Sequence, residues 1–261
     1  MAIPYLQPAV FLAHGNPMNG LQSNTYTDSW RALTATVEPP KAILVISAHW
    51  YCEGSLLCAA SQPATLHDFS GFPAALFDCI YPCPGAPQLA LDIMRLNSGV
   101  SASGQWGLDH GAWVPLLHIY PDANIPVLQL SIDCNKTAEQ HWLLGTKLAY
   151  LRKQGVMILG SGNIVHNLYK WRESIAGKGS HHWAAEFDSK IAQALDLHDS
   201  QQLIHYQQHA HANDAVPTAE HYLPLLYIAA MRQPTDNLVQ FSLAEDSLEA
   251  ASMRSVRYGG I

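Results

Sequence analysis

Four short apolar runs decide what this chain can fold into: PAVFLAHG at 8–15, KAILVISAHW at 41–50, PVLQLSID at 126–133 and GVMILGSGN at 155–163. Each is apolar through most of its length and closes on a polar residue or glycine. Apolarity that continuous over so few residues marks a strand covered on both faces, as in a largely parallel sheet. The covering helices lie between the runs. TAEQHWLLGTKLAYLRKQG (137–155) places Trp142, Leu143, Leu144, Leu148 and Leu151 at helical spacing, with Gly155 as its stop, and SHHWAAEFDSKIAQALDLHD (180–199) has the same character. PATLHDFSGFPAALFDCIYPCPGAP (63–87), rich in Pro and Gly, reads as a long loop carrying a short helix, and loops of that length in compact proteins are often functional. The expectation is an α/β fold: residues 1–261 as one three-layer domain, a mostly parallel or mixed sheet flanked by helices, with a site at the strand ends. A chain of 261 residues is long enough to bury such a core.

Charge and hydropathy narrow the partners. With 14 Lys and Arg against 21 Asp and Glu, the net charge of -7 provides no basic stripe to follow a phosphate backbone, so nucleic acid is not expected. No apolar run reaches the roughly 18 residues that cross a bilayer, and the first residues lack the charged region of a signal peptide. A cytoplasmic protein acting on a small molecule is the expectation. Five cysteines, with three residues rather than two between Cys79 and Cys83, suggest neither a disulfide framework nor a zinc knuckle.

Histidine is the outlier: there are 14, as many as all lysines and arginines together. Those in HHW (181–183) and HYQQHAH (205–211) lie in polar stretches and read as solvated. Others sit where an open α/β sheet collects ligands, beyond the carboxyl ends of its strands. His14 follows the first run, with Gly15 for a tight turn; His49 closes the second; and His166 follows the fourth in GSGNIVHNL, within the expected first turn of a helix. His221, in PTAEHYLPLLY, is expected just inside a helix capped by Thr218, with Glu220 beside it to orient a ring or favour the helix start. His110, in WGLDHGAW, stands at the head of an apolar helix that also carries His118, and His67 lies in the long loop. A His-rich set with few carboxylates suits Zn(II), Fe(II), Cu or Ni better than Mg or Ca. Nucleophile-elbow, phosphate-loop, dinucleotide-binding and HExxH motifs are absent.

FLAHGNPM, SAHW, HDFSGFP, YPCPGAP, DHGAW, PVLQLSID, GSGNIVHNL, EHYLPLLY and SMRSVRYG, in this order over residues 8–258, resemble the class III extradiol ring-cleavage dioxygenases, in the branch called 4,5-DOPA extradiol dioxygenase. The resemblance implies a catalytic α/β domain that opens a catechol ring with O2 to a semialdehyde. It also implies His14, His49 and His221 as metal ligands and His166 as either a fourth ligand or the acid/base beside the metal. His110 is then a second catalytic group, donating to the substrate or to oxygen. Fe(II) is the metal of the family, and Zn(II) a metal often assigned in this branch. The better-known iron members supply a carboxylate where this chain has His221, a departure from the two-His, one-carboxylate pattern. Trp50, Trp113, Phe69 and Phe72 are candidates to wall the aromatic ring. Two other readings use the same histidines: a zinc hydrolase with metal-activated water, and a metal-binding protein without activity.

Overall fold

Side chains on successive strand residues point to opposite faces, and in this protein both faces are buried. Val10, Leu12, Ile43, Val45, Met157 and Leu159 join one core, while Ala9, Phe11, Leu44, Ile46, Val156 and Ile158 join the other. That is why the four runs read as uninterrupted apolar sequence. They form β1 (Ala9–Ala13), β2 (Ala42–Cys52), β5 (Val127–Asp133) and β6 (Val156–Gly162), and lie side by side as the parallel centre of a mixed sheet ordered β4-β3-β5-β2-β6-β1-β8-β7. The outer strands, β3 (Ser55–Cys58), β4 (Val100–Ser103), β7 (Leu238–Phe241) and β8 (Ser255–Tyr258), have four residues each, too few to show a periodicity. The computed structural model describes residues 5–175, 182–242 and 251–260. Ser180 and His181 of the second expected helix lie outside these.

The helices are α1 (Thr25–Thr34), α2 (Ala74–Phe77), α3 (Pro87–Leu96), α4 (His110–Ile119), α5 (Ala138–Leu148), α6 (Leu168–Ile175), α7 (His182–Leu197), α8 (Ser200–Ile204), α9 (Ala212–Ala215) and α10 (Leu223–Ala230). Residues of α1, α2 and α4 cover one face; residues of α3, α5, α7, α8 and α10 cover the other. This is the three-layer arrangement expected. A capping box between Thr137 and Gln140 starts α5, and its chain continues as a 3-10 turn to Gly155, whose φ of 90° ends it. The long loop carries only α2, as read.

Three local expectations change. His49 does not end its strand: β2 runs on to Cys52, and its register with β5 slips between Ile46 and Tyr51. Such an irregularity re-aims side chains, so a strand whose first seven residues are all buried turns the His49 imidazole out of the core. His221 is not inside a helix, because α10 begins at Leu223; Thr218 caps nothing and donates its hydroxyl proton to Glu220 Oε1 at 2.7 Å. His166 likewise precedes α6, held by a bridge to Ala251 and by its N–H to Ala215 O at 2.9 Å.

Candidate metal centre

Because β1, β2 and β6 are parallel, their carboxyl ends share one edge of the sheet, where His14, His49 and His221 meet. Their ligand atoms all lie within 4.8 Å of one another. His14 leaves β1 through Gly15, whose φ of 60° a residue with a Cβ adopts only at a cost. His14 N–H is fixed to Gly162 O at 3.2 Å, and Asn163 N–H donates to His221 O at 2.9 Å, so the end of β6 anchors two of the three histidine segments.

Hydrogen bonding decides which ring nitrogen each histidine offers. Ser161 donates its single hydroxyl proton to Gly111 O, so His14 Nδ1, 2.9 Å from Ser161 Oγ, must carry the hydrogen of that contact. Nδ1 of His49 faces Asp68 Oδ2 at 3.3 Å, and Nδ1 of His221 faces Glu220 Oε1 at 3.2 Å. With Nδ1 the donor in His14 and His221, and turned toward the Asp68 carboxylate in His49, Nε2 is left as a lone pair. The Nε2 atoms of His14 and His49 stand 3.1 Å apart, a spacing that suits two nitrogens each about 2 Å from a shared ion. Two facing lone pairs need a cation between them, and each of the three rings has its second nitrogen beside an oxygen partner, as metal-binding histidines do. The donor set therefore fits a divalent transition metal.

Electrostatics agree. Burial, then neighbouring imidazoles, hold His14 and His221 well below the usual histidine range. Burial and His110 bring His49 down to about 3, and burial brings His166 down to about 4. All four rings are neutral at neutral pH, the form that ligates metal.

The other candidates fall around this core. The His166 ring lies flat on that of His221, 3.5 Å between centroids and 9° between planes, and groups with Glu220 and His221 rather than with His14 and His49. His110 is the first residue of α4, capped by Asp109, and its ring centroid is 3.9 Å from that of His49. Phe69 approaches His110 edge-on at 5.6 Å and packs against Phe72. Trp50 is buried and stacked on Trp106, and Trp113 is fully buried with its indole N–H donated to Leu66 O, so both are core residues rather than walls of an open site. His67 binds Cys79 O, and His118 is held between Arg31 and Asn19 O, so both are structural. His205 and His211 face Glu139 and Glu186 near the surface.

Sequence reasoning missed Asp68 and Ser161. Asp68 adjoins His67 in HDFSGFP, where attention to the histidine passed over the carboxylate beside it. Ser161 lies in a strand of otherwise small and apolar residues, where a hydroxyl needing partners was the available signal. Glu220, expected to orient a ring or favour the helix start, holds the Nδ1 of His221 itself.

Comparison with known proteins agrees with this geometry. Residues 7–253 match the family described as the catalytic LigB subunit of aromatic ring-opening dioxygenase. The chain is 44% identical over 229 residues to a 4,5-DOPA dioxygenase extradiol of Escherichia coli (85% of this chain, 83% of that one). It is 38% identical over 230 residues to a 4,5-DOPA dioxygenase extradiol of Beta vulgaris (84% and 85%). A crystal structure of an uncharacterized Escherichia coli protein superposes with a TM-score of 0.81 at 37% identity, covering 97% of this chain and 100% of that one.

Proposed function

Because the chain belongs to the family of the catalytic LigB subunit of aromatic ring-opening dioxygenases, in its 4,5-DOPA extradiol branch, we propose that the catechol it opens is L-DOPA and that its working metal is Fe(II). It is a metal-dependent extradiol dioxygenase acting on a catechol-type substrate. The substrate assignment draws on the relatives, both named for 4,5-DOPA. The ligand assignment, His14, His49 and His221, draws on one observation: the Nε2 pair at 3.1 Å, with every Nδ1 already engaged. Bound there, a redox-active divalent ion supplies the centre at which catechol and O2 meet.

The protein's own groups handle protons and orientation. His166, neutral and stacked on His221, takes a proton from a catechol hydroxyl as the substrate docks. His110, whose Nδ1 is bound to Asp68, serves the later proton transfers through its other nitrogen. Phe69 walls the aromatic ring, being half-buried and edge-on to His110. Among the described residues no helix is long and apolar enough to cross a membrane.

The test is anaerobic loading with Fe(II), then L-DOPA and air. The expected result is equimolar uptake of O2 and catechol with a yellow semialdehyde product, and no uptake by the Zn(II) form, since zinc offers no redox chemistry. Uptake with other catechols but not L-DOPA would overturn the substrate. No uptake with any catechol at verified Fe(II) occupancy would overturn the metal.

A further inference from the structure

One carboxylate bridges the two halves of this site. Asp68, in the loop between β3 and α2, places Oδ2 2.9 Å from His110 Nδ1 and 3.3 Å from His49 Nδ1, while Oδ1 accepts the His110 backbone N–H at 2.8 Å. Its side chain is 17% exposed, and its nearest partners are these two imidazoles rather than a lysine or arginine. Helix α4 already has a capping residue in Asp109, which accepts from Ala112 N–H, so start-of-helix capping does not by itself account for Asp68. Nor does loop packing, since the oxygen left over from the backbone contact is shared by two rings from distant segments.

We propose that Asp68 is a positioning residue: a single carboxylate that locks the imidazoles of the metal ligand His49 and of His110 in one mutual orientation and one tautomer. An ionised carboxylate only accepts hydrogen bonds, so both rings turn an Nδ1–H toward it and both keep Nε2 free. For His49 that is the nitrogen facing His14; for His110 it is the nitrogen left for the substrate. The His110 ring cannot flip without breaking a charge-assisted bond, nor the His49 ring without turning a lone pair toward the carboxylate 3.3 Å away. The loop of residues 63–73 thereby sets the spacing between metal and acid/base, although it contributes no ligand. The His110 half rests on the dioxygenase reading; the His49 half requires only that the site bind a metal.

The experiment compares wild type, Asp68→Asn, His110→Ala and the double variant, with Zn(II) affinity from chelator competition and kcat from O2 uptake at saturating Fe(II). Because one oxygen serves both rings and the other serves the His110 backbone N–H, an amide must turn its NH2 donor either toward both rings or toward that N–H, and the side chain is displaced in either case. Asp68→Asn is therefore expected to weaken Zn(II) about 10- to 100-fold in both backgrounds. It should lower kcat about 100-fold in wild type but less than about 3-fold when His110 is already alanine, the non-additivity of groups acting as a unit. Wild-type Zn(II) affinity in Asp68→Asn, or a full further loss of kcat on top of His110→Ala, overturns the proposal. If Asp68→Asn does not fold, Asp68→Glu, which moves the carboxylate by a methylene, is read in its place against the same contrast. A wild type that consumes no O2 marks failure of the Fe(II) dioxygenase reading, and the Zn(II) arm then decides the His49 clamp alone.

Discussion

Replacing Gly162 with alanine perturbs the centre without touching a ligand. A Cβ at this position would lie 2.1 Å from the carbonyl oxygen of His221, 3.1 Å from its carbonyl carbon and 3.4 Å from Pro224 Cγ. Non-bonded carbon and oxygen settle at a little over 3 Å, so β6 and the turn bearing His221 must separate by about 1 Å. Overpacking of that kind costs about 1–3 kcal/mol. The same shift stretches the bond from Asn163 N–H to His221 O, and an unpaired buried donor costs about 1–3 kcal/mol more. Together these predict about 2–6 kcal/mol of destabilisation, or a Tm lower by about 10 °C for a chain of this size. Since the moving carbonyl belongs to a ligand residue, metal affinity should fall at least 10-fold. Differential scanning calorimetry and chelator competition measure the two effects. Gly99→Ala is the control: a Cβ there meets nothing within 4 Å, and the change should stay within about 0.5 kcal/mol. A Gly162→Ala protein that melts within 2 °C of wild type, by the same scaling, and binds metal normally would refute the claim that close approach at the end of β6 builds the centre.

Two further outcomes are expected. His166→Ala should keep its metal within about 10-fold, because the three facing nitrogens remain, while turnover slows by about 10²- to 10⁴-fold; metal analysis beside kcat checks this, and loss of the ion would make His166 a ligand. His141, buried away from the centre with Nδ1 against Tyr227 Oη, is brought by burial from 6.5 to about 4. The unfolded chain therefore takes up a proton that the folded one refuses. The stability this residue supports is complete above pH 6.5 and is lost as pH falls toward 4. At about 1.4 kcal/mol per pH unit the loss is about 3 kcal/mol. Urea unfolding at pH 7 and pH 4.5 should show His141→Gln losing about 2–3 kcal/mol less than wild type across that interval, and an equal loss in both would count against it.

The β-strands at the centre of the sheet were legible in the sequence because their signal is local: two buried faces require an unbroken apolar run, and each of the four runs announces itself. Gly155 is an equally local signal, and it does stop the segment that α5 begins. The edge strands were not legible, since four residues that pair on one side carry no pattern of their own. The histidines stood out by number and by place at strand ends, and His14, His49 and His221 do converge. What chain order could not provide is the nitrogen each ring presents, or the partner that decides it. Ser161, Asp68 and Glu220 reach their rings from 147, 19 and 1 residues away, and no spacing rule joins such separations. A register slip in β2, a left-handed turn at Gly15 and a carbonyl pressed against Gly162 bring them together. Ligand chemistry is a property of residue type and is written along the chain; ligand geometry is a property of packing, and exists only once distant segments share one edge of the sheet.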